Sequence, residues 1–125
     1  MDACLITGAI LALMIASAHS YLGERYLLSR LLRRTGLPHL FGSENFTRQT
    51  LRLAWHLTSL AWLGLAAVLI SFSFEDPLRS RTLALQAISI SFMLQSMLTL
   101  FATRARHLAW IVLLAIALAA WLGIG

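Results

Sequence analysis

The chain has 125 residues, of which 59% are hydrophobic and 12% are charged, and its formal net charge is +5. A soluble domain carries about twice that charged share, so the composition suits lipid rather than water and the length allows one domain. The single cysteine, Cys4, excludes an internal disulfide and any multi-cysteine zinc or iron–sulfur site.

Four apolar runs organise the sequence, at residues 3–22, 53–74, 78–101 and 108–124. A helix needs about 20 residues to cross a ~30 Å hydrocarbon core, and runs of roughly 17–25 residues qualify. The runs are too long for strands, and a transmembrane barrel would show alternating hydrophobicity. We therefore predict an all-α fold, a bundle of four transmembrane helices that forms one membrane domain over residues 1–125.

The basic residues are all arginines, and they are distributed unequally between the connections. The second connection has two arginines beside Glu75 and Asp76, whereas the first and third connections have eight. Those eight are Arg25, Arg30, Arg33, Arg34, Arg48, Arg52, Arg104 and Arg106. The positive-inside rule then predicts a cytoplasmic loop at 23–52 and an N-out, C-out topology. The expected partners of these arginines are anionic lipid headgroups and not nucleic acid.

Several helix ends can be located from the sequence. Asp76-Pro77 is typical of an N-cap followed by proline at the first helical position. Residues 24–34 alternate leucines with arginines, which predicts a basic amphipathic extension of the first helix at the lipid surface. The residues at 35–38, Thr-Gly-Leu-Pro, should end it. The chain is then expected to turn at 41–43, and Ser43 or Asn45 should cap the next helix.

Polar residues inside the apolar runs mark a candidate site. Histidines near the cytoplasmic ends of the first two helices should lie at one depth, because these helices are antiparallel and rise about 1.5 Å per residue. The third helix is unusually polar, which predicts that it is the most enclosed. The predicted cluster comprises His19, Ser20, Glu24, His56, Thr58, Gln95, Ser96 and Thr99.

Three hypotheses account for this cluster. In the first, the polar groups fix helix packing, as in a structural or accessory protein. In the second, His19 and His56 ligate haem iron or another metal, with Arg25 and Arg52 near the haem propionates. In the third, His19, His56 and Glu24 carry protons in a small proton-coupled transporter. An enzyme is disfavoured, because no phosphate loop, HExxH motif or nucleophile elbow occurs in the sequence.

Two segments carry a resemblance to known proteins. These are His19-Ser20-Tyr21-Leu22-Gly23-Glu24-Arg25 and Arg48-x-x-Leu51-Arg52-x-x-Trp55-His56-Leu57-Thr58. Together they resemble a group of small, uncharacterised bacterial four-helix membrane proteins. The resemblance covers roughly the first half of the chain and implies a bacterial inner-membrane location without an activity. The matching positions would be His19, Glu24, Arg52, Trp55 and His56.

The size and helix count are also similar to those of small multidrug-resistance transporters. Those proteins rely on a glutamate buried in the first helix, and here no acid lies between Asp2 and Glu24, so the transport function is not carried over. Four short helices bury little interior, which favours a homo-oligomer or a membrane-protein partner. The sequence thus predicts a small multi-pass inner-membrane protein with a structural or accessory role.

Overall fold

The computed structural model describes residues 2–39 and 43–125, and within them the structure is helical. Helix α1 spans Ala3–Leu22 and continues through a π-helical segment, Gly23–Leu28, into the short α2, Ser29–Leu31. Three further helices follow, α3 (Glu44–Phe72), α4 (Pro77–Ala102) and α5 (Ala109–Leu122). The all-α prediction is confirmed, whereas the turn predicted at Phe41-Gly42 lies outside the described residues.

Three of the helical segments are long and apolar enough to cross a membrane, namely Ala3–Leu31, Glu44–Phe72 and Pro77–Ala102. Helix α5 has 14 residues, which corresponds to about 21 Å at 1.5 Å per residue. That length falls short of a ~30 Å hydrocarbon core. Compared with the run predicted at 108–124, α5 begins one residue later and ends two residues earlier. Arg104 and Ala105, which both have positive φ, form the turn that precedes it.

The helices pack in chain order. Helix α1 packs against α3, α3 against α4, and α4 against α5. The residue pairs in contact show that every neighbouring pair is antiparallel. Helix α1 has α3 as its main neighbour, and α5 has α4. The apolar stretch of α1 is correspondingly 11% buried, against 22% for α3 and 28% for α4. The bundle is therefore an open row, and most of its apolar surface is left for lipid or another protein to cover.

The polar helix α4 is the most enclosed of the three long helices, as predicted. Its hydroxyl groups bond to carbonyl oxygens of the next helix: Ser89 donates to Ala117 at 2.8 Å and Ser96 donates to Trp110 at 2.8 Å. On its other side α4 approaches α3 at Gly64, where an added Cβ would lie 2.5 Å from Ser91 Oγ. Small and hydroxyl-bearing residues thus allow the close packing that helices need in lipid.

The helix starts follow the sequence prediction. Asp76 caps α4, because its Oδ1 accepts bonds from the backbone N–H groups of Leu78 and Arg79 at 2.9 and 3.3 Å. Ser43 caps α3, its Oγ accepting a bond from Phe46 N–H at 3.3 Å. Each cap satisfies backbone donors that the first helical turn leaves free.

The connection predicted at 23–52 is helical at both ends, in line with the predicted extension of the first helix and the predicted cap at Ser43. Residues 23–31 and 44–52 are helical, so the non-helical part is 32–43. Two side chains of α3 hold it. Glu44 Oε1 accepts bonds from Gly36 and Leu37 N–H, both at 2.8 Å, and Arg48 donates to the carbonyl oxygens of Leu32 and Arg34. The amphipathic pattern could not show that Arg48, on α3, binds carbonyl oxygens at the end of the preceding helix.

Candidate functional site

A hydrogen-bonded network joins α1 to α3 near the end of α1. His56 Nδ1 lies 2.9 Å from Ser20 Oγ, and His56 Nε2 lies 3.3 Å from Glu24 Oε2. Ser20 is also 3.0 Å from Ser59 Oγ, and Arg52 forms an ion pair with Glu24 Oε1 at 2.9 Å. The network therefore runs from the partly exposed Arg52–Glu24 pair to the buried Ser59.

His19 belongs to a different contact. Its imidazole stacks on the Trp55 indole, with ring centroids 4.2 Å apart and an interplanar angle of 4°, and meets Trp62 edge-on at 4.9 Å. Trp55 Nε1 donates to the His19 carbonyl oxygen at 3.0 Å. The depth match predicted between the first two helices holds, but Ser20 rather than His19 faces His56. A difference of one residue turns a helical side chain by about 100°, so depth alone could not decide this.

Gly23 makes the His19–Trp55 contact possible. A Cβ built on Gly23 would lie 2.0 Å from Trp55 Nε1, so the indole packs directly on the helix backbone. The same residue opens the π-helical segment Gly23–Leu28. Short π-helical insertions are frequent at functional sites, and this one carries Glu24, which pairs with α3.

The network borders a cleft of about 880 Å³. Its walls come from three elements: the extension of α1, the first half of α3 and the last turns of α4. The lining residues are Glu24, Ser29, Leu32, Arg33, Arg48, Gln49, Arg52, Leu53, His56, Leu98 and Ala102. Three arginines against one glutamate give the cleft a positive character, and leucines form its apolar part.

The remaining predicted site residues are dispersed. Gln95, Ser96 and Thr99 are buried on α4, where Ser96 faces α5 and Thr99 donates to the Gln95 carbonyl oxygen within the same helix. Thr58 is exposed and bonds within α3, and Arg25 is exposed outside the cleft lining. The sequence missed Ser59 and Trp62 as partners of this region. The available signal was that His56, Ser59 and Trp62 follow each other at intervals of three on α3, since residues three apart share a helix face.

No protein-family model, curated protein or solved structure matches this chain. The resemblance to small bacterial four-helix membrane proteins therefore stays a prediction. What the site can do has to be argued from its geometry.

The geometry bears on the metal and haem hypothesis. His56 uses both ring nitrogens in hydrogen bonds, and the His19 ring lies flat on Trp55. Ligation of one haem iron by both imidazoles would require His56 to release at least one bond and His19 to leave the indole. Among residues 2–39 and 43–125, no group of three or more His, Cys, Asp or Glu side chains is arranged to hold a metal ion.

The order hydroxyl, imidazole and carboxylate also occurs in Ser–His–acid hydrolases. Here Ser20 faces the α1–α3 contact, where it bonds to the buried Ser59, and it is not among the residues that line the cleft. Helical backbone N–H groups around Ser20 donate within the helix, so they are not directed at a substrate oxygen as an oxyanion hole requires. This placement favours packing or proton transfer over nucleophilic catalysis.

The network can accommodate two protonation states of His56, neutral and doubly protonated. With neutral His56 protonated on Nε2, the ring donates to Glu24 and accepts from Ser20, which in turn accepts from Ser59. With His56 protonated on both nitrogens, the ring donates to Glu24 and Ser20, and Ser20 donates onward to Ser59. Gain of one proton therefore reverses the direction of both hydroxyl groups.

Proposed function

We propose that this chain is a small multi-pass protein of the bacterial inner membrane, N-out and C-out, with a structural or accessory role beside a second copy of itself or another membrane protein. The observation that carries the proposal is the use of polar groups in the apolar helices. Hydroxyl, indole and imidazole groups of α1, α3 and α4 contact neighbouring helices, as in Ser89–Ala117 and Trp55–His19. Such contacts specify how helices are arranged.

The open row of helices supports the accessory role. Helix α1 and helix α5 each pack mainly on one neighbour, so their remaining faces are available to an assembly within the bilayer. Large apolar side chains exposed on α1 include Ile10, Leu11 and Met14, at 52%, 58% and 62%. Lipid would cover these apolar side chains equally well, so the presence of an assembly has to be tested by cross-linking.

Cross-linking in native membranes tests the proposal. Single cysteines replace Leu11 or Met14 in a Cys4→Ser background, because these side chains are exposed on α1. We expect a discrete cross-linked species containing a second copy or one stoichiometric membrane partner. The matched control is Ala16→Cys, since Ala16 is 1% exposed against α3 and should not cross-link. Equal cross-linking of all three variants, or monomer alone, would contradict an assembly through α1.

A second candidate, a small proton-coupled transporter, is favoured by the network from Glu24 through His56 and Ser20 to Ser59. Ser20→Ala breaks the network in its middle, and Ser17→Ala is the matched control because Ser17 is exposed and bonds within α1. In reconstituted vesicles with a pH-sensitive dye inside, transport requires proton flux that Ser20→Ala removes and Ser17→Ala keeps. Absence of flux in the wild type would remove this candidate and leave the structural role.

A further inference from the structure

We propose that the cleft between the α1 extension, α3 and α4 binds the phosphate headgroup of an acidic phospholipid. The inference deepens the proposed function and rests on it, because the lipid must come from the leaflet on the side of the cleft. With an N-out topology that side is cytoplasmic, where the membrane surface is negatively charged. A volume of about 880 Å³ lies within the range of small-molecule sites.

The charges of the cleft favour an anion. Arg33, Arg48 and Arg52 line it against the single carboxylate of Glu24. Guanidinium groups bind phosphate through paired N–H bonds and remain charged at any physiological pH. The surrounding arginines outside the cleft, including Arg30 and Arg34, add to the positive field at long range.

Not all of these arginines are paired with carboxylates of the protein. Arg52 pairs with Glu24, and Arg48 pairs with Glu44 at 3.2 Å. Arg33 forms no ion pair within the part of the chain that the structure describes. Arg48 Nε is buried without a hydrogen-bond acceptor among the same residues, although buried donors almost always have one. The cleft thus has a cation, Arg33, whose charge is not paired within the described residues.

The apolar lining selects a lipid over a soluble phosphate. Leu53 begins the second apolar run and Leu98 lies near the end of the third, so both mark the boundary of the hydrocarbon region. Leu53 is 7% exposed and Leu98 is 40% exposed. A ligand at this level would place its phosphate beside the arginines and an acyl chain along the leucines. A free phosphate would leave that apolar surface in contact with water, which is unfavourable.

Native mass spectrometry of the detergent-purified full chain tests the proposal. The probes are dioleoyl phosphatidylglycerol and, as its zwitterionic counterpart, dioleoyl phosphatidylcholine. We expect one tightly bound phosphatidylglycerol, with affinity lowered about tenfold in Arg33→Gln and about 100-fold in Arg33→Gln/Arg52→Gln, since each lost charge-assisted contact weakens binding by about that factor. Arg33→Gln is informative by itself, because Arg33 supports no ion pair whose loss would disturb the fold.

The matched control is Arg30→Gln/Arg34→Gln, which removes the same charge from exposed residues outside the cleft lining. This control should change the affinity by less than about twofold. Equal losses in the two double variants, or equal binding of both lipids, would overturn the site. Displacement of the lipid by inorganic phosphate at equal concentration would also overturn it. Release of the wild-type protein from membranes by alkaline carbonate would instead contradict the proposed membrane function itself.

Discussion

At the scale of single residues, the junction of α1 and α3 depends on the absence of a side chain. Gly23 lies under the Trp55 indole, which also donates to the His19 carbonyl oxygen and stacks on the His19 ring. One position therefore sets how closely two helices approach. The hydrogen-bonded network through His56 lies beside this contact, so its distances depend on the same approach of the two helices.

Gly23→Ala should lower stability by about 1–3 kcal/mol, the usual cost of overpacking, because its Cβ would meet Trp55 Nε1 at 2.0 Å. Thermal unfolding in detergent measures the effect. Gly8→Ala is the matched control: its added Cβ meets Leu69 Cδ1 at 3.5 Å, an ordinary contact, and alanine favours the helix by up to about 1 kcal/mol. Equal stability of the two variants would show that Trp55 does not pack on Gly23.

Glu44 gives a pH-dependent prediction, and it lies before the apolar run that begins at Leu53. The backbone N–H of Leu37, assisted by that of Gly36 and by the Arg48 guanidinium, holds the pKa of the Glu44 carboxyl below its ordinary 4.5. A lowered pKa means that the charged form stabilises the fold above the ordinary pKa, and that this contribution is lost as pH falls through the lowered value.

The corresponding measurement compares unfolding temperatures of the wild type and Glu44→Gln across acidic pH. We expect the wild type to be more stable at neutral pH, because glutamine lacks the charge that the N–H groups and Arg48 stabilise. The difference should shrink once the pH falls below the lowered pKa. A difference that stays constant with pH would mean that Glu44 acts through its shape and not its charge.

At the scale of elements, α4 links the two halves of the row through different chemistry on each side. Towards α5 it uses hydroxyl bonds to carbonyl oxygens, from Ser89 and Ser96. Towards α3 it uses close approach at Gly64. Both are typical of helix association in lipid, where apolar burial gives no advantage over lipid tails.

Ser89→Ala/Ser96→Ala should weaken the α4–α5 contact by about 1 kcal/mol in total, since interhelical bonds in membranes average about 0.6 kcal/mol each. The loss stays small because the carbonyl oxygens of α5 keep their helical bonds. Unfolding by dodecyl sulfate in mixed micelles measures it. Ser17→Ala removes only an exposed bond within α1 and should have no effect, and an equal effect would contradict a role for the interhelical bonds.

At the scale of the whole molecule, charge and packing give the row two different ends. Eight arginines lie on the side of the cleft and two, Arg79 and Arg81, lie on the other. Arg81 donates to the Gly123 carbonyl oxygen at 3.0 Å, which ties the start of α4 to the end of α5. The cleft, the α1 extension and the connection held by Glu44 and Arg48 all lie at the arginine-rich end.

The proposed N-out, C-out topology predicts where fused reporters are active. Alkaline phosphatase joined after Gly125 should be active, because this enzyme folds in the periplasm, whereas a fluorescent protein at the same position should stay dark. Insertion of the reporters between Arg104 and Arg106 should give the opposite pattern, because positively charged connections stay in the cytoplasm. A fluorescent C-terminal fusion would contradict the orientation, or show that the 14-residue α5 does not cross.

Much of the fold followed from the sequence alone. Apolar length predicted the three long helices, because a run of that length and composition can cross lipid only as a helix whose backbone groups bond to each other. Local chemistry determined the caps at Asp76 and Ser43, since the cap and the turn it serves are neighbours in the chain. The shared depth of His19 and His56 also followed, from the fixed rise per residue of antiparallel helices.

Only the tertiary structure decided which side chains meet. Helix rotation placed Ser20 against His56 and His19 against Trp55, and the π-helical segment at Gly23 directed Glu24 towards Arg52 and His56. The order of contacts in the row and the role of Arg48 were likewise fixed by packing. The physical reason is that apolar faces on every side of a membrane helix leave its rotation undetermined, so close contacts between particular residues have to set it.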